Sequence, residues 1–369
     1  MFKTHADMKV FLKNENYSKK FRIDSQYTTI PVLHIYAPSN ILEDLIADEF
    51  IQKIDYDYRC YLSNISIEKP TTRSKEISYR ISAKNTISNT IRVALADSGI
   101  DHKLKKLKKS IVSKINITTE PWDDLAGHGT LMASVIADIF PHCQLVDVKI
   151  TSRSGLVYAS HVLSGLDQLF TMHIDILMLG ISSPIPTDGS DILSTMCKKY
   201  VEKGALIVMP AGNFGPEPNT IGFTSQVMKS FCIGSMNSRE KISFFSSRAT
   251  EKPDFYVVGE NVTTTSLIQG SLGRPHPTHS DLRVISGTSV AAAKFTGLLA
   301  RIKQAYPEYE HKELYDYFMR LSSDSKFLSD GKFESFRPKN STFKRTLLIS
   351  SLVTLILGLF GIGSIFLFK

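Results

Sequence analysis

The stretch WDDLAGHGTLMASVIAD, residues 122–138, places a histidine between two glycines, directly ahead of a run whose apolar residues recur at helical spacing. Gly127 and Gly129 let the backbone pass close on both sides of the His128 ring, which then stands at a helix start near a strand end. On its own such a residue reads as structural as readily as reactive. The segments around it set the frame. IRVALAD (91–97), QLVDVKI (144–150), IDILMLG (174–180), ALIVMPAG (205–212) and SFCIGSM (230–236) are short apolar strands, each followed by a helix-like segment. That alternation predicts an α/β fold of three layers, with a mainly parallel sheet covered on both faces by helices. Ligands in such a sheet gather beyond the carboxyl ends of its strands.

Three further fragments end elements on that same rim. ADSGID leaves Asp97 where the first strand stops, with Gly99 allowing a sharp turn, although Asp-Ser-Gly is also ordinary turn chemistry. SGTSVAAAKFTGLLA (286–300) turns the chain at Gly287 and Thr288 so that Ser289 heads an alanine-rich helix, whose N-terminal amides favour an anion. A serine there is commonly a plain N-cap, and its hydroxyl becomes a nucleophile only beside a base. VMPAGNFGP (208–216) runs a buried strand into Gly212 and Asn213, presenting a carboxamide donor. Reaction at a carbonyl creates an oxyanion, and a fixed donor aimed at it is worth roughly 3 kcal/mol. Asn213 and the Ser289 backbone N–H would supply two. Singly each fragment is unremarkable; jointly they give acid, base and nucleophile at one end of one sheet.

In this order, DSGID, GHGT, AGN and GTSVA resemble the motifs of the subtilisin-like serine proteases, with KPDFYVVGENV (252–262) and SFFSSRA (243–249) adding lesser matches between them. The resemblance runs from residue 91 to about 322 and implies a subtilisin-like fold and a serine endopeptidase. It implies that Asp97 orients His128, that His128 is the general base, that Ser289 attacks, and that Asn213 helps hold the oxyanion. It implies too that the substrate joins as an added strand beside Gly180, Ile181 and Ser182. The first specificity pocket is then walled by Gly180 to Ser182 and by Ala211, Gly212 and Asn213, with Gly222 at its base. No charge lines that pocket, so an apolar residue before the scissile bond is expected. The chain departs from the family pattern at Ala293, where proline is usual, and at Ser134, where glycine is usual and helix and strand pack closely. The segment after His128 is too short for the insertion with which many relatives bind calcium, so neither a tight calcium site there nor any cofactor is expected.

The rest of the chain bounds this reading. With 369 residues, 42% of them hydrophobic, it can bury a large core and carry a smaller appended domain. The net charge of +8 lies partly in runs such as KLKKLKK (103–109) without interleaved aromatics, which argues against a nucleic-acid partner. The four cysteines share no short spacing and read as buried free thiols, neither a zinc site nor a disulfide framework. Residues 1–70 have the texture of a small α+β domain, either a pro-segment that inhibits the enzyme until cut away or a permanent domain that recruits substrate or senses a partner. A polar linker fills 71–90, the protease-like region 91–325, and a basic linker 326–345. TLLISSLVTLILGLFGIGSIFLF (346–368) is uncharged over 23 residues, against the roughly 20 that span a bilayer, and is expected to be a single transmembrane helix. Basic residues crowd its N-terminal flank, which places the bulk of the protein on the cytoplasmic side, and no N-terminal apolar run suggests a secretory signal. The expected partner is a polypeptide. The competing reading is a catalytically silent relative that binds extended peptides.

Overall fold

The computed structural model describes residues 1–14, 20–62, 90–185, 187–223, 227–265 and 272–328. The linker at 71–89 and the apolar segment 346–368 lie outside them; among the described residues no helix is long and apolar enough to cross a membrane.

Eight strands form one sheet in the order Phe327–Leu328, Phe255–Val258, Ser230–Met236, Leu206–Pro210, Ile176–Leu179, Arg92–Asp97, Gln144–Lys149 and Ile111–Asn116. Every neighbouring pair is parallel. Its central strands are buried on both faces, which is why ILML (176–179) and LIVMP (206–210) read as unbroken apolar runs rather than alternating ones. One face packs Ala94, Ala96, Val146 and Val148 against Val162 and Leu166 of the helix Ala159–Leu169. Gly165 in that helix lies so close to Ile150 and Val148 that an added Cβ would come within 2.7 Å of Ile150.

Two helices matter for the site. His128–Ile139 carries nearly all its residues buried, and so does Thr288–Ala305, apart from a few positions near its end. A helix buried on nearly all sides lies inside the molecule, and the alanines of VAAAK let this one approach its neighbours closely. Ser134 is buried on the first of them, and its hydroxyl finds no hydrogen-bond partner among the described residues. All four cysteines are buried.

The N-terminal residues form their own small core of Phe2, Met8, Phe11, Ile41 and Leu45. The helix His5–Leu12 opens with a capping box: Thr4 Oγ1 accepts the Asp7 N–H at 3.1 Å, and Asp7 accepts the Thr4 N–H at 3.0 Å. Strands Arg22–Gln26 and Leu33–Tyr36 pair antiparallel beside it. A 3₁₀ turn at Ser39–Ile41 runs into a helix at Leu42–Ala47 that stops at extended Asp48. These residues join the protease-like region in one compact unit, Met1–Asp330. Tyr27, Ile30 and Val32 enter the large core, and Asp167 accepts the Thr28 and Thr29 backbone N–H groups at 3.0 and 2.7 Å.

Candidate active site

Asp97 ends the strand Arg92–Asp97, and His128 is the first residue of its helix. The chain reaches that helix through Gly127 in the left-handed region, at φ +81°, where a side chain would be strained. Gly129 serves a different need, since an added Cβ would lie 2.2 Å from the Gly99 carbonyl oxygen. The two glycines therefore act by conformation and by close approach of two backbones, more specific reasons than an unobstructed ring. Ser289 is the second residue of the helix Thr288–Ala305.

These side chains, 31 and 161 residues apart, meet. His128 Nδ1 lies 2.8 and 2.9 Å from the two Asp97 carboxylate oxygens, and His128 Nε2 lies 3.1 Å from Ser289 Oγ. All three are sealed from solvent, at 0, 2 and 0% exposure for Asp97, His128 and Ser289. A carboxylate can only accept, so Nδ1 carries a proton toward Asp97; in the neutral ring Nε2 is then the acceptor facing the hydroxyl. This is the arrangement a general base needs to remove a proton from an alcohol. Asp97 Oδ1 also accepts the Ser98 N–H at 2.7 Å, fixing the carboxylate's rotation.

Asn213 is held by the residue just before Ser289. Its Oδ1 accepts both the Thr288 N–H at 3.0 Å and the Thr288 hydroxyl at 2.8 Å, which makes Nδ2 the end able to donate elsewhere. The Thr288 hydroxyl in turn accepts the Gly212 N–H at 3.2 Å. Sequence reasoning took Thr288 for a turn residue and missed this bridge. A threonine beside the serine was the available signal, since a hydroxyl at a helix start seeks a neighbouring loop.

Gly180 sits against the carboxylate of Asp97: an added Cβ would fall 1.8 Å from Oδ2. Gly222 lies against the backbone of Ser183 and Ile185, where a Cβ would meet the Ser183 carbonyl oxygen at 2.0 Å. Ala211 is buried with Ile221 and Cys232, and Gly212 takes φ +104°. Ile181–Ser182 is a strand, and it already has a partner. Arg59–Leu62 lies antiparallel between Leu156–Tyr158 and Ile181–Ser182, pairing Tyr61 with Ser182 and Leu62 with Ile181. Cys60 and Leu62 face inward, while Arg59 and Tyr61 face out.

Two other groups of ionisable residues lie nearby. On the strand beside Asp97, burial pushes the Asp147 carboxyl up to about 7, opposed by a hydrogen bond from the Ile100 N–H at 3.2 Å. Its Oδ1 has no hydrogen-bond partner among the described residues. Among those residues, Asp101, His102 and Asp123 are the set whose ligand atoms come close enough to share a metal ion, within 4.8 Å of one another, but Lys103 Nζ already sits 2.8 Å from Asp123.

The subtilase family model matches residues 88–336. Among curated proteins the chain is similar to subtilisin E of Bacillus subtilis, 25% identical over 300 residues that cover 78% of this chain and 70% of that one. It is similar also to a subtilisin of Bacillus pumilus, 26% identical over 252 residues covering 65% and 85%. A third relative is the major intracellular serine protease of Bacillus subtilis, 26% identical over 253 residues covering 63% and 74%. The family match takes in every strand of the large sheet and all the residues that converge at its rim, and on that extent the chain belongs to the subtilases, as a subtilisin-like serine endopeptidase.

Proposed function

We propose that the chain cleaves polypeptides through an acyl-enzyme formed on Ser289. The observation that carries this is the unbroken line of hydrogen bonds from Asp97 through His128 to Ser289. In this reading His128 Nε2 takes the Ser289 proton as Oγ attacks the scissile carbonyl, and Asp97 stabilises the imidazolium that results. The oxyanion is held by Asn213 Nδ2 and the Ser289 N–H. The imidazolium then gives its proton to the departing amine, and water repeats the cycle to release the acyl group. Labelling by a fluorophosphonate, abolished in Ser289→Ala, is the expected result; a folded chain, freed of its N-terminal domain, that neither labels nor turns over peptide would favour a silent peptide binder.

The residues that the resemblance assigns to the first specificity pocket, Gly180 to Ser182, Ala211 to Asn213 and Gly222, carry no charged side chain; that supports a preference for an apolar residue before the cut, and a peptide-library profile dominated by lysine or arginine would contradict it. The strand Arg59–Leu62 supports self-inhibition by the N-terminal residues, because it pairs with the strand a substrate would use and its register runs toward Gly180, beside Asp97. N-terminal trimming seen by mass in the wild type but not in Ser289→Ala identifies that segment as self-processed. The apolar stretch 346–368 supports a membrane tether with the enzyme on the cytoplasmic side. Digestion of the protease region by protease added to sealed, right-side-out cells would reverse that orientation.

A further inference from the structure

Gly127, the residue before the histidine helix, has no side chain with which to cap it, yet the first N–H groups of a helix need acceptors. Asp124 supplies one from outside the helix, for Thr130, and Ser98 another, for Gly129. It is buried, its Oδ1 accepts the Gly127 N–H at 2.7 Å, and its Oδ2 accepts the Thr130 N–H at 2.9 Å and the Thr130 hydroxyl at 2.7 Å. His128 lies between these anchor points. The network extends to the turn that carries Asp97. Thr130 Oγ1 gives its proton to Asp124 and accepts the Asp101 N–H at 2.9 Å. Ser98, next to Asp97, hydrogen-bonds Asp124 with its hydroxyl and accepts the Gly129 N–H at 2.9 Å.

We propose that Asp124 is a positioning residue for the reaction, a carboxylate that ties the loop bearing His128 to the turn bearing Asp97 and so sets the spacing of the two. Four donors converge on it, and only a group that accepts everywhere and donates nowhere satisfies them all. The carboxamide of Asn has the same shape but would turn an N–H₂ group toward two of those donors. Asp124 touches neither substrate nor the reacting atoms; it acts through His128 and Asp97.

The test rests on the protease reading above and separates from it. Peptide hydrolysis is measured on the full chain, with rates expressed per site titrated by a fluorophosphonate. If the wild type neither labels nor turns over, it is the protease reading that fails. With an active wild type, Asp124→Asn is expected to lower kcat about a hundredfold, the scale of a displacement near 1 Å, with KM changed little. Thr130→Val is expected to lower kcat in the same way. Thr130→Ser, which keeps the hydroxyl, recovers most of it. A kcat in Asp124→Asn above half the wild-type value, or a loss per titrated site that falls on KM instead, overturns the proposal. If Asp124→Asn does not fold, the Thr130 pair decides: equal rates for the serine and valine variants overturn it.

Discussion

Gly297 on the serine helix lies against Ile139 on the histidine helix, so close that a Cβ added at 297 would sit 3.0 Å from the Ile139 Cβ and 3.1 Å from the Ile136 carbonyl oxygen. The helices that carry His128 and Ser289 are thus in near-backbone contact about two turns behind Ser289. Gly297→Leu would wedge them apart. Overpacking of this kind typically costs about 1–3 kcal/mol, so the expected result is a lower denaturant midpoint, together with a fall in kcat. Retention of both would show that the helices can separate without disturbing the contact between His128 and Ser289.

Asp97→Asn keeps the shape of the side chain but turns a donor toward His128 Nδ1, which favours the wrong tautomer. The expected loss in kcat is about ten thousandfold, with folding intact by circular dichroism. A loss of less than about tenfold would mean that another group orients the ring.

Asp147 gives the fold a pH dependence of definite sign. Its carboxyl is raised to about 7 when folded, whereas an unfolded aspartate titrates near 3.9. Between those values the folded chain holds one more proton than the unfolded one, so the contribution to stability is full at low pH and is lost as pH rises to about 7. The loss is at most about 4 kcal/mol. Asp147→Asn removes the titration. The difference in unfolding free energy between variant and wild type is therefore expected to move in the variant's favour from pH 4.5 to 8, and a constant difference would contradict this.

Leu62 is buried in the pairing with Ile181, and Cys60 beside it is buried completely. Leu62→Asp would place an unpaired charge there, at a cost of several kcal/mol unless the strand lets go. Release is expected to speed fluorophosphonate labelling of the full chain by more than tenfold relative to wild type. An unchanged rate would show that the strand does not obstruct Ser289.

Much of this could be read from the chain, and the exceptions have physical causes. Strands buried on both faces announce themselves as apolar runs, and Asp97 at a strand's end meets His128 and Ser289 at helix starts because parallel strands deliver their loops to one rim. Ile111–Asn116 was not among the expected strands: it lies at the sheet's edge, and IVSKIN carries polar residues at half-exposed positions. Phe327–Leu328 is too short to signal anything. The residues that meet at the rim could be proposed because their types are chemically rare in that combination. The supports behind them could not, since Thr288 and Asp124 are ordinary loop residues until the fold brings their partners near. Pairing of Arg59–Leu62 with Ile181–Ser182 spans more than a hundred residues and leaves no local pattern.

On the self-inhibition proposed above, that last pairing changes what an outside peptide must overcome. A segment of the same chain would visit the groove at an effective concentration that can reach the millimolar range. Diluting the protein leaves that value untouched, so the occupant is not washed out as a separate inhibitor would be. On that proposal, turnover would depend on severing the chain between the strand and the enzyme or on releasing Arg59–Leu62 from Leu156–Tyr158 and Ile181–Ser182.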